Sequence, residues 1–208
     1  MGQKVHPIQF RIGQQYTWSS KWFAKDADYK KILAEDLAIR EFLENRLKTA
    51  GLSKIEIERL AERRVVKIHV SRPGVVIGRG GSGLEELKKI LVEKLKINPA
   101  KLELQVVEIA NPDLDATLVA KFAAELISKR MPARRIMAQA VERVMRAGAA
   151  GVKIRLAGRI GGATIARKAT LKEGKLPLQT LRANIDFAAT LALTKSGTIG
   201  VKVWICKK

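Results

Sequence analysis

The chain of 208 residues is poor in the side chains on which most catalytic and metal sites depend. It has one cysteine, Cys206, and two histidines, His6 and His69. A single cysteine excludes an intrachain disulfide and a cysteine-rich zinc site. Nor can a nucleophilic triad or a metal cluster be assembled from so few residues. We therefore expect no catalytic residues, no metal and no cofactor, and a reducing cytoplasmic environment.

Long apolar segments are also missing. No apolar run approaches the roughly 20 residues that span a bilayer, and the N-terminus has no signal-peptide core. His6 stands where the myristoylation pattern requires Ser or Thr, so the Met-Gly start does not indicate a lipid anchor. We expect no membrane partner.

Acidic residues are scarce, and the deficit is uneven. The chain has 40 Lys and Arg against 20 Asp and Glu, a net charge of +20. Residues 111–208 hold 19 basic and 6 acidic side chains, and the segment from Lys129 to Lys172 holds twelve basic residues and one acid, Glu142. Such a charge repels itself unless a polyanion neutralises it. A one-sided basic run is typical of nucleic-acid binding.

A glycine loop lies between an apolar run, predicted to be a strand, and an amphipathic helix. Its residues are Gly78, Arg79, Gly80 and Gly81. The helix is predicted from apolar residues at steps of three or four, namely Leu84, Leu87, Leu91 and Leu95. Such a G-x-x-G sequence matches the loop by which KH modules clamp single-stranded nucleotides. An ordinary tight turn into a helix is the alternative interpretation.

A dinucleotide-binding enzyme is the second functional hypothesis. Gly78, Gly80 and Gly83 satisfy G-x-G-x-x-G, and Glu103 follows twenty residues later. However, the strand-like runs 53–61 and 65–70 are separated by only three residues. That spacing suits a hairpin and leaves no crossover helix between them. Glu103 is expected on the solvent side of an alternating strand.

Hydrophobic periodicity predicts an α+β chain in three parts. An arm at residues 1–28 shows no clean period. A helix over 29–49 is predicted from Ile32, Leu33, Leu37, Phe42, Leu43 and Leu47, and it ends at Gly51. Two strands, the glycine loop with its helix, a further helix turn and a strand at 102–106 are predicted to follow, in the order α-β-β-α-β.

The second half is predicted to place two helices on a mainly antiparallel sheet. Asn111-Pro112-Asp113 opens this part, with helices over 114–129 and 132–147. Period-two patterns then predict strands near 152–156, 165–171, 181–194 and 199–205. Lys202, Trp204 and Cys206 share a strand face that we expect another part of the protein, or a partner, to cover.

Cations crowd the start of the second of these helices. Arg130, Arg134 and Arg135 lie near its N-terminus, where positive charge is disfavoured by about 0.3–1 kcal/mol per residue. A bound phosphate would reverse the sign of that effect. A second basic stripe is expected on the outward strand positions of Lys153, Arg155, Arg167 and Lys168.

Five motifs, in order along the whole chain, resemble the bacterial family of small-subunit ribosomal protein number three. They begin at Met1-Gly-Gln-Lys-Val-His-Pro-Ile and end at Gly200-Val-Lys-Val-Trp-Ile205. Between these lie the segments 72–81, 158–163 and 174–186. The resemblance implies a type II KH domain over residues 29–110 and a family-specific C-terminal α/β domain over 111–208.

The resemblance also implies a function. It predicts a non-enzymatic constituent of the small-subunit head in the cytoplasm that binds rRNA and lines the mRNA entry channel. The implied partners are mRNA and the head proteins numbered ten and fourteen, and the protein is not expected to form a homo-oligomer. In this family a basic cluster on the second C-terminal helix helps to unwind mRNA, and Arg134 and Arg135 fall on it. Ala138 replaces a common lysine one turn later.

Combining charge, motif and resemblance gives one set of candidate RNA-binding residues. They are Lys4, His6, Gly78, Arg79, Gly80, Gly81, Arg130, Arg134, Arg135, Arg143, Arg146, Lys153, Arg155, Arg159, Arg167, Lys168 and Lys172.

Overall fold

The computed structural model describes residues 4–60, 63–95 and 101–208. Its internal contacts divide the chain into two units, Trp18–Ala110 and a second unit that joins the N-terminal residues up to Thr17 to Asn111–Lys208. The predicted arm is therefore not one piece. Its first part belongs with the C-terminal half and its last part with the first unit. The functional bounds 1–28, 29–110 and 111–208 stay a prediction.

The unit Trp18–Ala110 contains a four-stranded sheet with helices packed on it. Strands β2 and β3 pair antiparallel as the predicted hairpin, while β1 with β2 and β3 with β4 run parallel. The sheet order is β1-β2-β3-β4. Its elements in chain order are β1 (Ser20–Lys21), α1 (Asp26–Arg46), β2 (Leu52–Leu60), β3 (Arg63–Val70), α2 (Pro73–Ile77), α3 (Ser82–Leu95) and β4 (Leu102–Glu108).

Alternating strand residues build the core of this unit. Ile57, Val66 and Ile68 are fully buried against Leu43 of α1 and Leu91 of α3. The predicted apolar stripe of α3 is confirmed for its described side chains. The side chain of Leu95, the chain around residues 61 and 62, and the helix turn predicted before β4 lie outside the described residues.

Helix α1 differs from its prediction in its bounds and in part of its buried face. It begins at Asp26, and Leu33 and Leu37 are 39% and 58% exposed. The buried face contains the predicted Leu43 and Leu47 together with Ile39 and the carboxylate of Asp36, which is 2% exposed. An acid at a buried position hid the true face from the hydrophobic pattern. Asp36 is tolerated there because polar groups surround it.

Those polar groups hold residues 19–22 against α1. Asp36 accepts hydrogen bonds from Trp22 Nε1 at 2.7 Å, Ser20 Oγ at 3.3 Å and Arg59 Nε at 3.0 Å. Arg40 donates to the carbonyl oxygen of Ile55 at 2.8 Å and to Ser20 Oγ at 2.9 Å. Short strand β1 is thus held by side chains as well as by its pairing with β2.

The apolar run before the glycine loop was predicted to be a strand and is helix α2. Pro73 stands at the first helical turn, where its fixed φ and missing N–H are tolerated. From α1 onwards the observed order is therefore α-β-β-α-α-β, with the short strand β1 before it and the extra helix before the loop. Val76 is buried, whereas Val75 and Ile77 are 57% and 40% exposed beside the loop.

The second unit places two helices on an antiparallel four-stranded sheet, as predicted. The sheet order is β6-β5-β8-β7, and every pair is antiparallel. Its inner face, with Val152, Ile154 and Leu156 on β5, packs against both helices in one core. The elements are α4 (Ala116–Ser128), α5 (Ala133–Arg146), β5 (Gly151–Gly158), β6 (Arg167–Gly174), β7 (Ile185–Thr194) and β8 (Gly197–Cys206).

Residues 4–17 pack with the opposite, outer face at one end of this sheet. Arg11 is 0% exposed, and its Nη1 donates to the carbonyl oxygen of Pro7 at 2.9 Å. Its Nη2 donates to the carbonyl oxygens of Leu178 at 3.0 Å and Thr180 at 2.9 Å. A small core of Ile185, Trp204 and Cys206 lies at the same end. The face of Trp204 and Cys206 is thus covered by other parts of this chain.

Two strand starts were placed too early in this unit. Strand β6 begins only at Arg167. Ile165, which was predicted to start it, lies in the preceding turn and is 76% exposed. Strand β7 begins at Ile185, because the preceding segment closes the small core with Leu178 and Ala183. Within the described ranges, no helix combines the length and the apolar composition of a membrane span.

Candidate nucleic-acid interface

The glycine loop turns the chain between α2 and α3 through three positive φ angles. Gly78, Gly80 and Gly81 have φ of 71°, 61° and 85°. L-residues with a Cβ rarely adopt this left-handed region, so glycine is favoured at each position. The side chain of Arg79 is exposed at the tip. The loop presents backbone and one cation, as a clamp for a sugar-phosphate backbone requires.

The four glycines of this region serve two purposes. A Cβ on Gly78 would lie 2.9 Å from the amide nitrogen of Gly83, and a Cβ on Gly83 would lie 2.7 Å from the carbonyl oxygen of Val76. Gly78 and Gly83 therefore allow α3 to start close to α2. A Cβ on Gly80 or Gly81 would meet no atom within 4 Å. The free side of these two glycines is open to a ligand.

The context of a dinucleotide fingerprint is not fulfilled. That fingerprint requires its first glycine directly after a strand, whereas α2 separates β3 from Gly78. Glu103 is exposed on β4, as expected, and accepts a hydrogen bond from Gln105 Nε2 at 2.7 Å. Gly83, the third glycine of the pattern, is explained by the close packing of α3 on α2, which leaves no room for a Cβ.

The start of α5 carries two exposed arginines and no compensating acid. Arg134 and Arg135 lie in the first turn, which has no acidic residue and no side-chain cap. Within the described part of the chain, neither guanidinium forms a hydrogen bond or an ion pair. The N-terminal end of the helix dipole is positive, as are both guanidinium groups, so all three would attract an anion.

Arg130 is held in a conformation that normally selects glycine. Its φ is 61°, the one positive value for a non-glycine residue in the described ranges. The amide of Arg130 donates to the carbonyl oxygen of Ile127 at 2.9 Å, and that of Met131 to Leu126 at 3.1 Å. These two bonds form a Schellman motif that ends α4. An arginine here places a third cation just before α5.

Three other predicted arginines are engaged within the protein. Arg143 donates to Asp113 Oδ1 at 2.6 Å and lies 4.5 Å from the ring centroid of Phe122. Arg146 pairs with Glu142 at 2.6 Å. Arg159 donates to the carbonyl oxygens of Ala163 at 2.8 Å and Ser196 at 3.0 Å, which fixes the turn after β5. Their guanidinium groups are less available to RNA than those of Arg134 and Arg135.

The basic stripe on the sheet is present, with one change of residue. Lys153 and Arg155 are outward on β5, and their cross-strand partners on β6 are Lys172 and Thr170. Lys168 lies opposite Ala157 and so shares the outer face. Arg167 lies opposite Gly158, on the parity of the inner face, so its predicted outward position was wrong. It is exposed because it stands at the strand end.

The first residues of the chain contribute to the same outer face. The ring of His6 meets the ring of Phe187 edge-on at a centroid distance of 4.8 Å. Burial and the nearby charge of Lys202 lower the pKa of His6. Burial lowers the pKa of Lys153, and the charges of Lys4, Arg155 and Lys172 lower it further. Lys4 and His6 therefore lie beside the stripe.

Two residues important for this surface were missing from the predicted set. Lys202 lies directly opposite Arg155 on β8 and is exposed, and strand alternation with the correct register would have identified it. Arg11 holds residues 4–17 in place, but a lone arginine in an aperiodic segment gives no sequence signal. Among the described residues, no three His, Cys, Asp or Glu side chains cluster as metal ligands would.

Comparison with known proteins decides the family. A model of the KH domain matches residues 38–114, and a model described as ribosomal protein S3, C-terminal domain, matches residues 123–205. The chain belongs to the ribosomal protein S3 family. Members of the S3 family are structural proteins and not enzymes, so the dinucleotide-enzyme hypothesis is set aside.

Individual relatives agree over the full length. A small ribosomal subunit protein uS3 from Parvibaculum lavamentivorans is 50% identical over 207 residues, which cover 100% of this chain and 86% of the relative. The uS3 of Caldicellulosiruptor saccharolyticus is 51% identical over 208 residues, covering 100% and 92%. The uS3c of Chlorokybus atmophyticus is 45% identical over 207 residues, covering 100% and 95%. The KH domain followed by the S3 C-terminal domain confirms the predicted fold class.

The glycine loop offers a direct test of RNA contact. We expect the double change R79D/G80D to leave the fold intact, because both sites are exposed and Asp tolerates positive φ better than most residues. Protection of RNA by the loop should be lost, since two carboxylates would repel phosphate. Hydroxyl-radical footprinting and circular dichroism of the full chain measure the two effects.

A matched control for the loop lies on α1. The pair K30D/N45D makes the same change in net charge at two exposed positions away from the loop. It should leave the loop footprint unchanged. A footprint that survives R79D/G80D with an unaltered dichroism spectrum would mean that the loop is only a tight turn.

Proposed function

We propose that this protein is a constituent of the small-subunit head of the cytoplasmic ribosome, where it binds rRNA and lines the mRNA entry channel. The relatives, which carry the printed name small ribosomal subunit protein uS3, support the ribosomal part. The observation that supports the mRNA part is the start of α5, where Arg134 and Arg135 stand exposed without an internal partner among the described residues.

The proposed action on mRNA is electrostatic. Phosphates that approach the start of α5 meet two guanidinium forks and the unpaired N–H groups of the first turn. Arg binds phosphate with paired donors, so each fork holds a strand in one orientation. A strand held in this way is less free to pair again with its complement. Ala138 carries no charge one turn further on, which leaves this cluster one cation short of the pattern that the resemblance implies.

The glycine loop is assigned to an RNA backbone rather than to base recognition. Gly80 and Gly81 allow close approach, and Arg79 adds a charge. The exposed Val75 and Ile77 beside the loop provide apolar surface against which bases can lie. This combination fits a single-stranded or unpaired rRNA segment.

The protein neighbours implied by the resemblance, the head proteins numbered ten and fourteen, are also part of the proposal. Tyr29, Leu33 and Leu37 form an exposed apolar stripe on α1 at steps of four residues. A contiguous exposed apolar stripe of this kind is typical of a protein contact. We assign it to a different protein of the head and not to a second copy of this chain.

Translation of structured mRNA tests the role of α5. The double change R134A/R135A should slow ribosomes on an mRNA with a stable hairpin more than on an unstructured mRNA, because only the former needs its strands held apart. The thermal stability of the protein should be equal or slightly higher, since each arginine opposes the helix dipole by about 0.3–1 kcal/mol. Reconstituted ribosomes and melting of the isolated protein provide the measurements.

The control removes the same number of charges elsewhere. In K30A/K31A both lysines are exposed on α1, and neither mRNA should be slowed differentially. If R134A/R135A slows both messages equally, the arginines serve assembly and not mRNA handling. A large fall in melting temperature would instead assign them a structural role.

A further inference from the structure

The outer face of the C-terminal sheet carries a basic surface on the side opposite to α5, with three exposed and two half-buried cations. We define it by five residues of three strands: Lys153 and Arg155 on β5, Lys168 and Lys172 on β6, and Lys202 on β8. Both helices of this unit pack on the inner face. The outer basic face is therefore distinct from the arginine cluster at the start of α5.

The charges of this surface lie in positions where they destabilise the sheet. Lys153 lies directly opposite Lys172, and Arg155 lies directly opposite Lys202. Like charges in directly opposite cross-strand positions are destabilising. Among the residues that the structure describes, none of the five forms an ion pair with an acid. The lowered pKa of Lys153, caused by burial and then by Lys4, Arg155 and Lys172, reflects the same crowding.

Residues 4–17 enlarge the surface. The buried fork of Arg11 fixes this segment to the carbonyl oxygens of Leu178 and Thr180. Lys4 then lies near enough to Lys153 to affect its pKa, and His6 near enough to Lys202 for the same effect. The N-terminal segment thus adds positive charge at the edge of the outer basic face.

On strands β5, β6 and β8 the outer basic face has no exposed ring on which unpaired bases could stack, and the exposed rings of His6 and Phe10 lie in the N-terminal segment at its edge. Trp204 shares the face but is 8% exposed, with Lys153 Nζ 5.4 Å from its ring centroid, and Phe187 is partly buried between Trp204 and His6. Single-stranded RNA is typically bound by stacking on exposed aromatic side chains. Double-stranded RNA is bound by shape and by contacts to phosphate and ribose. A cationic sheet face whose exposed rings are confined to its edge fits the second kind of partner.

We propose that the outer basic face, together with Lys4, binds the phosphate backbone of a double-helical RNA segment. This inference rests on the assignment of the chain to RNA-binding ribosomal proteins and not on its handling of mRNA. The helix would lie across β6, β5 and β8, with the paired cations reaching successive phosphates. The mutual repulsion of these cations is relieved only when the RNA is bound.

The experiment compares two variants of the full chain with equal charge loss. R155Q/K172Q/K202Q alters the outer basic face, and K30Q/K31Q/K48Q alters exposed lysines of α1 and the turn after it. Affinity for a blunt RNA duplex of about 16 base pairs, the span of a typical double-stranded RNA-binding domain, is measured from 50 to 200 mM salt. Affinity falls as salt rises, so the slope of log affinity against log salt is negative. The face variant should make this slope shallower by about three, one for each lost phosphate contact. The α1 variant should leave the slope unchanged.

Three further readings make the outcome decisive. The melting temperature of R155Q/K172Q/K202Q should be equal to that of the parent or higher, because like-charge pairs are removed. K172R/K202R, which keeps both charges, should retain the parent slope. An unstructured single strand of the same length should lose less affinity than the duplex. Equal slopes for the face and α1 variants would overturn the proposal, and so would an equal loss for single strand and duplex.

Discussion

Raising the salt concentration from 50 to 200 mM should lower the affinity of the full chain for RNA by about 10³ to 10⁵. This range applies when about six to ten phosphates are neutralised, because each contact releases condensed counterions. The chain provides enough cations, because at least ten basic residues of these surfaces have no acidic partner among the described residues. They are Lys4, Arg79, Arg130, Arg134, Arg135, Lys153, Arg155, Lys168, Lys172 and Lys202.

The internally paired arginines set the control for this prediction. Arg143 is bound to Asp113, and Arg146 to Glu142. Replacing both by glutamine should change the salt slope less than replacing Arg134 and Arg135, although the formal charge loss is identical. Fluorescence titration of a labelled rRNA fragment at four salt concentrations gives both slopes. A flat titration of the parent would mean that its net charge of +20 is not used for phosphate binding.

The elements that the sequence predicted well are those whose buried faces are uniformly apolar. Strand β5 alternates Val152, Ile154 and Leu156 with cations, so its period of two was visible and its inner face was identified correctly. Helix α3 shows its stripe for the same reason. The family motifs added what periodicity does not contain, namely the assignment of the glycine loop to a KH domain.

The parts that were missed depend on contacts between distant positions. Helix α1 buries Asp36, and hydrophobic periodicity assigns an acid to the solvent face. The buried guanidinium of Arg11 donates to the carbonyl oxygens of Leu178 and Thr180, which are 167 and 169 residues away along the sequence. The outward position of Lys168, and not Arg167, follows from the register of β6 on β5. None of these facts is encoded within a local window.

The sequence predicted which residue types form the candidate site. It did not predict which of their side chains are free to bind RNA. Sequence reasoning placed Arg134, Arg143 and Arg159 in one class, because all three are arginines in a basic segment. The structure separates them by their partners: Arg159 fixes a turn, Arg143 pairs with an acid, and Arg134 has neither kind of contact among the described residues. Charge counting gives the footprint of an RNA partner, whereas hydrogen bonding decides which charges are free to reach it.

Replacing Asp36 by alanine should destabilise the Trp18–Ala110 unit by about 3–5 kcal/mol, the range found when one partner of a buried ion pair is removed. Arg59, whose side chain is 9% exposed, would keep its bond to Glu35 at 2.8 Å but lose both bonds to Asp36. Trp22 Nε1 and Ser20 Oγ would lose their acceptor as well. Residues 19–22 would keep the bonds from Arg40 and the pairing of β1 with β2 but lose their anchor on Asp36.

Hydrogen exchange measures this effect where it occurs. The amides of β2 and β3 report the opening free energy of this unit alone, which global unfolding of a two-unit chain would not separate. E41A, which removes an exposed acid of the same helix, should stay within about 0.5 kcal/mol of the parent.

The double change D36L/R59M distinguishes a need for the charges from a need for their balance. It removes both charges while keeping apolar volume, and buried pairs replaced in this way are often neutral or stabilising. If the double change recovers most of the loss caused by D36A, the cost arises from leaving Arg59 buried without Asp36. If it is as unstable as D36A, the bonds from Asp36 to Trp22 and Ser20 carry the stability, and the N-terminal strand β1 depends on them. A D36A unit that opens within about 1 kcal/mol of the parent would contradict both accounts.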